Sequence, residues 1–221
     1  MNQLVQTTLE SKLDTGSKSR IKNKSNRLIR TLHVYTSMLM LLIMLFFTIT
    51  GITLNHRDWF SSTEPAFQTE IPLPDSFATT SQWESDPLQQ GHLLRRWLQS
   101  EHAVYGNKVS YEWEPEEFLL VIDIKQPGGF SIIEADIESG LILLEQQDYG
   151  FIATLNDLHM GRYSGDLWSL FIDLSALVML FFTLTGFWLV IPQKKKRTKL
   201  FALTAAGSAV MGGTYLGVML L

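Results

Sequence analysis

Hydrophobic and polar positions are sorted into long blocks along this chain. Thr31 to Asn55 contains no Asp, Glu, Lys or Arg and is rich in Leu, Ile, Met and Phe. At about 1.5 Å rise per residue such a helix can cross the roughly 30 Å hydrocarbon core of a bilayer. Leu174 to Gln193 is a second charge-free run. Trp168 stands on one flank, and Pro192 with Lys194-Lys195-Lys196-Arg197 ends it on the other. Aromatic and basic flanks are interfacial anchors. Leu200 to Leu221 is a third charge-free run, and the short gap after the second predicts a tight hairpin. The pattern predicts three membrane helices, over 31–55, 167–193 and 200–221. A signal peptide is the alternative for the first, but the apolar stretch is long and no A-x-A-like site follows in Gly51 to Ser62.

The block between the first two spans has a different texture. Arg57 to Pro87 carries Pro65, Pro72, Pro74 and Pro87 among Ser and Thr, and reads as an extended connector. Leu88 to His102 places Leu93, Leu94, Trp97 and Leu98 at helical spacing. Four strand-like runs follow, Lys108 to Trp113, Phe118 to Ile124, Phe130 to Asp136 and Leu141 to Gln147. Glu114-Pro115-Glu116, Pro127-Gly128-Gly129 and Glu138-Ser139-Gly140 separate them as hairpin punctuation. The expected fold class is an α-helical membrane protein with three transmembrane helices and one small α+β extracytoplasmic domain, a helix covering one face of a four-strand meander.

Charge changes this picture by adding direction. Met1 to Arg30 holds seven Lys or Arg and two acids, Arg57 to Asp166 nineteen acids and six bases, and Lys194 to Lys199 five bases and no acid. Basic flanks around an acidic middle place the N-terminus and the 194–199 turn in the cytoplasm, residues 56–166 outside, and the C-terminus outside. Residues 1–30 are expected to be a mobile cytoplasmic tail; a nucleic-acid-binding arm is disfavoured because no aromatic interleaves the bases. With no cysteine, disulfide, zinc-thiolate and iron–sulfur chemistry are excluded. The acids Glu112, Glu114, Glu116, Glu117, Asp123, Glu134, Asp136 and Glu138 are expected to form a solvated face.

The two long helices share a repeat. Met44 to Leu54 reads MLFFTITGITL and Met179 to Leu189 reads MLFFTLTGFWL, identical at eight positions, and each follows a Leu-His pair, Leu32-His33 and Leu158-His159. The helices run in opposite directions, so packed antiparallel each His meets the other copy's Thr-Gly. Inverted repeats of this kind can frame sites; similar sequences can also mark similar packing surfaces and nothing more. The third helix carries Ala205, Ala209, Gly213 and Gly217 on one face, readable as a packing seam for a homo-oligomer or as ordinary membrane-helix composition.

With Leu32-His33 through Thr50-Gly51, the run Phe130 to Gly140, Leu158-His159-Met160-Gly161 and Thr185-Gly186, the chain resembles the PepSY-associated transmembrane proteins over roughly residues 30–192. The resemblance implies a PepSY-like extracytoplasmic domain in a bacterial-type inner membrane. It also implies an accessory role in an extracytoplasmic redox or iron–siderophore system, since longer relatives include inner-membrane reductases and siderophore-uptake accessories, some carrying haem between their helices. Separate PepSY modules act as inhibitory propeptide domains, so a regulatory module for a secreted peptidase or envelope enzyme is the alternative. The chain is shorter than the reductases and lacks their additional helices.

Candidate chemistry is sparse. His33, His56 and His159 are the candidate ligands for haem b, with His56 and His159 able to converge at the outer face; a His at a helix end is more often interfacial. His33 and His56 are too far apart along one helix to share an iron. Asp173 sits shallowly in the second span, where a charge is costly, and pairing with Arg57 or Arg162 competes with a proton-transfer role. Ser164, His159 and Asp166 lie close in sequence, which is weak evidence for a triad. Partners expected are the bilayer and a membrane or periplasmic protein, with no nucleic acid. The chain is expected not to be an enzyme on its own.

Overall fold

The computed structural model describes residues 2–60 and 65–220, with side-chain surroundings from Lys24 onward. The chain forms two compact units: Met1–Ile43 with Ser175–Leu221, and Met44–Leu174. Helix α1 (Asn2–Asn55) begins far upstream of the apolar run. The expected tail over 1–30 is helical from Asn2, and no proline interrupts residues 1–55.

The first unit is helical. The start of the α1 span lies against the end of α5 (Asp166–Val190), and Phe187 of α5 meets Phe201 of α6 (Arg197–Met219) with ring centroids 5.6 Å apart. Met40, Ser175 and Thr185 are buried there. Elsewhere leucines and phenylalanines of these helices are exposed, as a lipid-facing surface requires. Three helices, Lys24–Asn55, Asp166–Val190 and Arg197–Met219, are long and apolar enough to cross a bilayer, which fits a multi-pass membrane protein. The small-residue face of α6 is open: no other group lies within 4 Å of a Cβ built at Gly213 or Gly217.

The second unit holds an antiparallel sheet in the order β1-β5-β4-β3-β2. Strands β2 (Lys108–Glu114), β3 (Leu119–Gln126), β4 (Gly129–Asp136) and β5 (Leu141–Asp148) form the expected meander. The connector departs from expectation. It supplies a fifth strand, β1 (Phe67–Pro72), paired to β5 from Phe67↔Gln146 to Pro72↔Leu141, and a short helix α2 (Thr80–Ser85). Pro72 ends an edge strand, where proline is tolerated, and β5 would otherwise offer an unpaired edge.

The alternation of β3 to β5 puts Leu120, Ile122, Ile124, Ile133, Ala135, Ile142 and Leu144 on one face, all buried. Leu94 and Leu98 of α3 (Pro87–Glu101) cover it. Trp83 of α2 closes one end, fully buried, its indole N–H donating to the Phe77 carbonyl at 2.8 Å and its ring stacked on Trp113 at 5.5 Å. Helix α4 (Phe151–Met160) follows the sheet. It ends where Gly161 adopts φ 67°, a left-handed cap that glycine takes without strain.

Candidate functional site

In both units a histidine is seated on a Phe-x-x-Thr-Gly face of the opposite repeat. Positions i, i+3 and i+4 share one side of a helix, so Phe47, Thr50 and Gly51 form one seat and Phe182, Thr185 and Gly186 the other. In the second unit, His159 of α4 places Nδ1 2.6 Å from Thr50 Oγ1 and turns its ring edge-on to Phe47, centroids 5.0 Å apart. In the first, His33 Nδ1 lies 3.0 Å from Thr185 Oγ1 and the ring stacks on Phe182 at 4.5 Å. A Cβ at Gly186 would stand 3.1 Å from His33 Cε1, and one at Gly51 would stand 3.7 Å from His159 Cε1. Glycine therefore lets each imidazole approach the opposing backbone.

The threonines fix the tautomer by proton count. Each hydroxyl has one hydrogen, and the helix places a carbonyl ready for it: Phe46 O at 2.6 Å from Thr50 Oγ1, Phe182 O at 2.8 Å from Thr185 Oγ1. With that proton given to its own helix, the threonine oxygen accepts from His Nδ1–H. Each Nδ1–H and each threonine hydroxyl thus has a partner.

The second unit adds to this. Thr53 Oγ1 donates to Asn156 Oδ1 at 2.5 Å, and Asn156 is buried. Arg57 Nη2 lies 3.2 Å from Met160 Sδ. Trp168 Nε1 donates to the Leu158 carbonyl at 2.8 Å, and its ring meets Phe46 edge-on. Asp157 accepts from the Gly128 amide at 2.9 Å, tying α4 to the β3–β4 turn. The outer repeat's His159 therefore reaches Thr50-Gly51, as the inverted repeat requires. The reach comes through a separate helix, α4, an element that the sequence pattern does not predict. Asn156 was missed too, although a lone Asn three residues before His159 shares its face.

Of the candidate haem ligands, His33 lies in the first unit and His56 and His159 in the second. A two-histidine clamp needs imidazoles converging on one iron. The first unit contains only His33. In the second, the His56 ring stacks on Trp59 at 4.1 Å while His159 sits against Phe47 and Thr50. Among the described residues no triad forms, since His159 Nδ1 is engaged by Thr50 and the buried Ser164 hydroxyl has no partner there. Asp173 is exposed, with no ion pair to it among the described residues. No group of three or more His, Asp or Glu suited to a metal occurs among the described residues. Of the acids expected on a solvated face, Glu112, Glu114, Glu116, Glu117, Glu134 and Glu138 are exposed, whereas Asp123 and Asp136 are half-buried, Asp123 paired with Lys125 and Asp136 accepting from the Glu138 and Ser139 amides.

A family model described as "Putative PepSY_TM-like" matches residues 27–216. The chain belongs to that family. The match takes in both histidine seats, the whole sheet and all but the last residues of α6. Comparisons with curated proteins and with solved structures gave no match. In this PepSY_TM-like chain the repeated Leu-His…Thr-Gly pattern is a reciprocal helix clasp.

Proposed function

We propose that this is an accessory protein of the bacterial-type inner membrane, with its N-terminus in the cytoplasm, its PepSY-like domain outside and its C-terminus outside, and that it presents the domain to an extracytoplasmic partner. The observation that carries this reading is the docking of α4: Thr50–His159, Thr53–Asn156 and Gly128–Asp157 join the outer end of α1 to the sheet through one short helix. With α4 held to α1 at two points and to the β3–β4 turn at a third, the domain is a more preorganised platform for a partner than a flexible tether would give. The redox or iron-uptake role that the family resemblance implies then belongs to that partner, because the histidines here serve the clasp.

The exposed acidic turn Glu114 to Glu117 offers the partner a charged approach, screened by salt. The test is to purify the chain alone and in mild-detergent complexes and record absorption from 350 to 500 nm (about the range of flavin and haem bands). The chain alone should be colourless, with colour entering only with the partner and lost on a high-salt wash. Replacing Glu114, Glu116 and Glu117 by Gln should weaken that association while the domain stays folded. A Soret band in the chain alone, lost in His33→Ala or His159→Ala, would show a resident haem and refute the reading; a colourless complex in which the chain inhibits a peptidase would favour regulation.

A further inference from the structure

Beside the clasp in the second unit lies a cavity of about 430 Å³ that shares Asn156, Asp157 and Met160 with the docking contacts of α4. Three cationic side chains line it, Arg57, Lys125 and Arg162, with aromatic walls from Phe60, Phe130 and Tyr163. Lys125 is held by Asp123 at 2.8 Å, which also keeps its ammonium pKa above the ordinary lysine value through that hydrogen bond. Arg57 and Arg162 are exposed and have no ion pair among the described residues. Asp157, the carboxylate at the wall, is turned to the Gly128 amide. Arg57 meets only the Met160 thioether and Arg162 only the face of the Tyr163 ring, so neither guanidinium has a carboxylate partner among the described residues. A guanidinium is a planar fork suited to bidentate contact with phosphate.

Two further features point the same way. Arg57 lies just past the end of α1 at Asn55, and Arg162 just before α5 begins at Asp166, so both stand where apolar helices leave the hydrocarbon region. Tyr163, between Gly161 and Gly165, is held at φ 57°, a conformation that costs a non-glycine residue energy. The Asn107 side-chain amide donates to its carbonyl at 3.0 Å, fixing it there. The strained loop sets Arg162 and the Tyr163 ring at the cavity.

We infer that this cavity binds the phosphate of an anionic amphiphile, a phospholipid headgroup of the adjacent leaflet, with Arg57 and Arg162 on the phosphate and the aromatic walls against glycerol and upper acyl carbons. This goes beyond the accessory role and uses its outward orientation only to name the leaflet. A soluble phosphate ester would satisfy the same two arginines, so the test separates the sources.

Full-length protein in neutral detergent is melted by tryptophan fluorescence with phosphatidylglycerol, phosphatidylcholine or glycerol 3-phosphate added. Phosphatidylglycerol should raise the midpoint by roughly 5–10 °C at a hundredfold excess over Kd, phosphatidylcholine should not, and Arg57→Gln/Arg162→Gln should lose the shift. A shift with glycerol 3-phosphate that competes with the lipid keeps the site and reassigns its ligand to a soluble ester. Equal shifts with both lipids, or a full shift in the double variant, overturn the inference. Should the variant fail to fold, native mass spectrometry of the wild-type protein decides: retained phosphatidylglycerol displaced as readily by phosphatidylcholine as by itself would also overturn it. Detergent micelles have no sidedness, so this result is independent of the topology and of the partner.

Discussion

At the scale of single residues, the polar groups that matter are those that close a hydrogen-bond account. Asp136 is one. Its carboxylate accepts from the Glu138 and Ser139 amides at 3.0 and 2.9 Å, capping the β4–β5 turn. These bonds, the Ser139 amide first, hold its pKa below the ordinary aspartate value. A depressed folded pKa means the unfolded chain takes up the proton first, so the turn's contribution is present above about pH 4 and is lost as pH falls through the folded pKa. Asp136→Ala should destabilise the protein by about 1 kcal/mol at pH 7, and Asp136→Asn should keep most of the turn while removing its acid sensitivity. Denaturant melts at pH 7 and pH 3 would check both; an Asn variant as acid-sensitive as the parent would contradict the assignment. The Thr50–His159 bond is a second case. A cycle of Thr50→Val and His159→Ala should give a coupling of about 0.6 kcal/mol and at most about 1.7, the average and the maximum for interhelical hydrogen bonds of membrane proteins, read from unfolding in mixed micelles.

At the scale of elements, the two repeats are alike in sequence and unequal in fit. Gly51 leaves 3.7 Å to His159, an ordinary contact, whereas Gly186 leaves only 3.1 Å to His33. Alanine also improves helix propensity by about 1 kcal/mol. Gly51→Ala should therefore be neutral or mildly stabilising, and Gly186→Ala should lose by overpacking what it gains in propensity, ending about 1 kcal/mol or more behind Gly51→Ala. Thermal melts of the two variants side by side measure this, and identical shifts would show that the seats are not unequal. The same elements show what a sequence discloses. The strands of the meander were legible because their period of two survives in Leu120, Ile122 and Ile124, and the clasp because the repeat is nearly verbatim. The edge strand β1 was not, since Phe67 to Pro72 is short, mostly exposed and gains its identity from β5. Trp83 was not, because its burial depends on Trp113 and Phe77, distant in pattern from any helix period. Helix α4 was hidden by the flanking Gly150 and Gly161, which read as loop although they mark its two ends. The cavity was invisible in principle, as Arg57 and Arg162 are far apart in sequence and meet only through the fold.

At the scale of the whole molecule, orientation is the property on which the functional reading most depends. In the proposed topology each of the three helices suited to the bilayer crosses it, which puts the segment before the first and the segment after the third on opposite sides. The bases are the argument for which side is the cytoplasm. Seven Lys or Arg precede the first span and five lie between the second and third, while the acidic segment from Arg57 to Asp166 lies between the first and second. Both basic clusters fall on the same side if every span crosses, which is the pattern that retention of Lys and Arg in the cytoplasm produces. The 194–199 turn is short enough for the rule to apply at full strength, and reversing the chain would require carrying both clusters across the membrane. A reporter that is active only in the cytoplasm should therefore signal from the N-terminus and from an insertion after Lys196, and be silent at Ser139 in the β4–β5 turn and at the C-terminus. A reporter active only outside should give the complement. Equal signals from the two termini would mean that one of the three helices does not cross, and α6, with its open small-residue face, would be the one to re-examine. Complete inversion of all four signals would place the PepSY-like domain in the cytoplasm and remove the extracytoplasmic partner from the proposal, while leaving the histidine clasp and its stability predictions untouched.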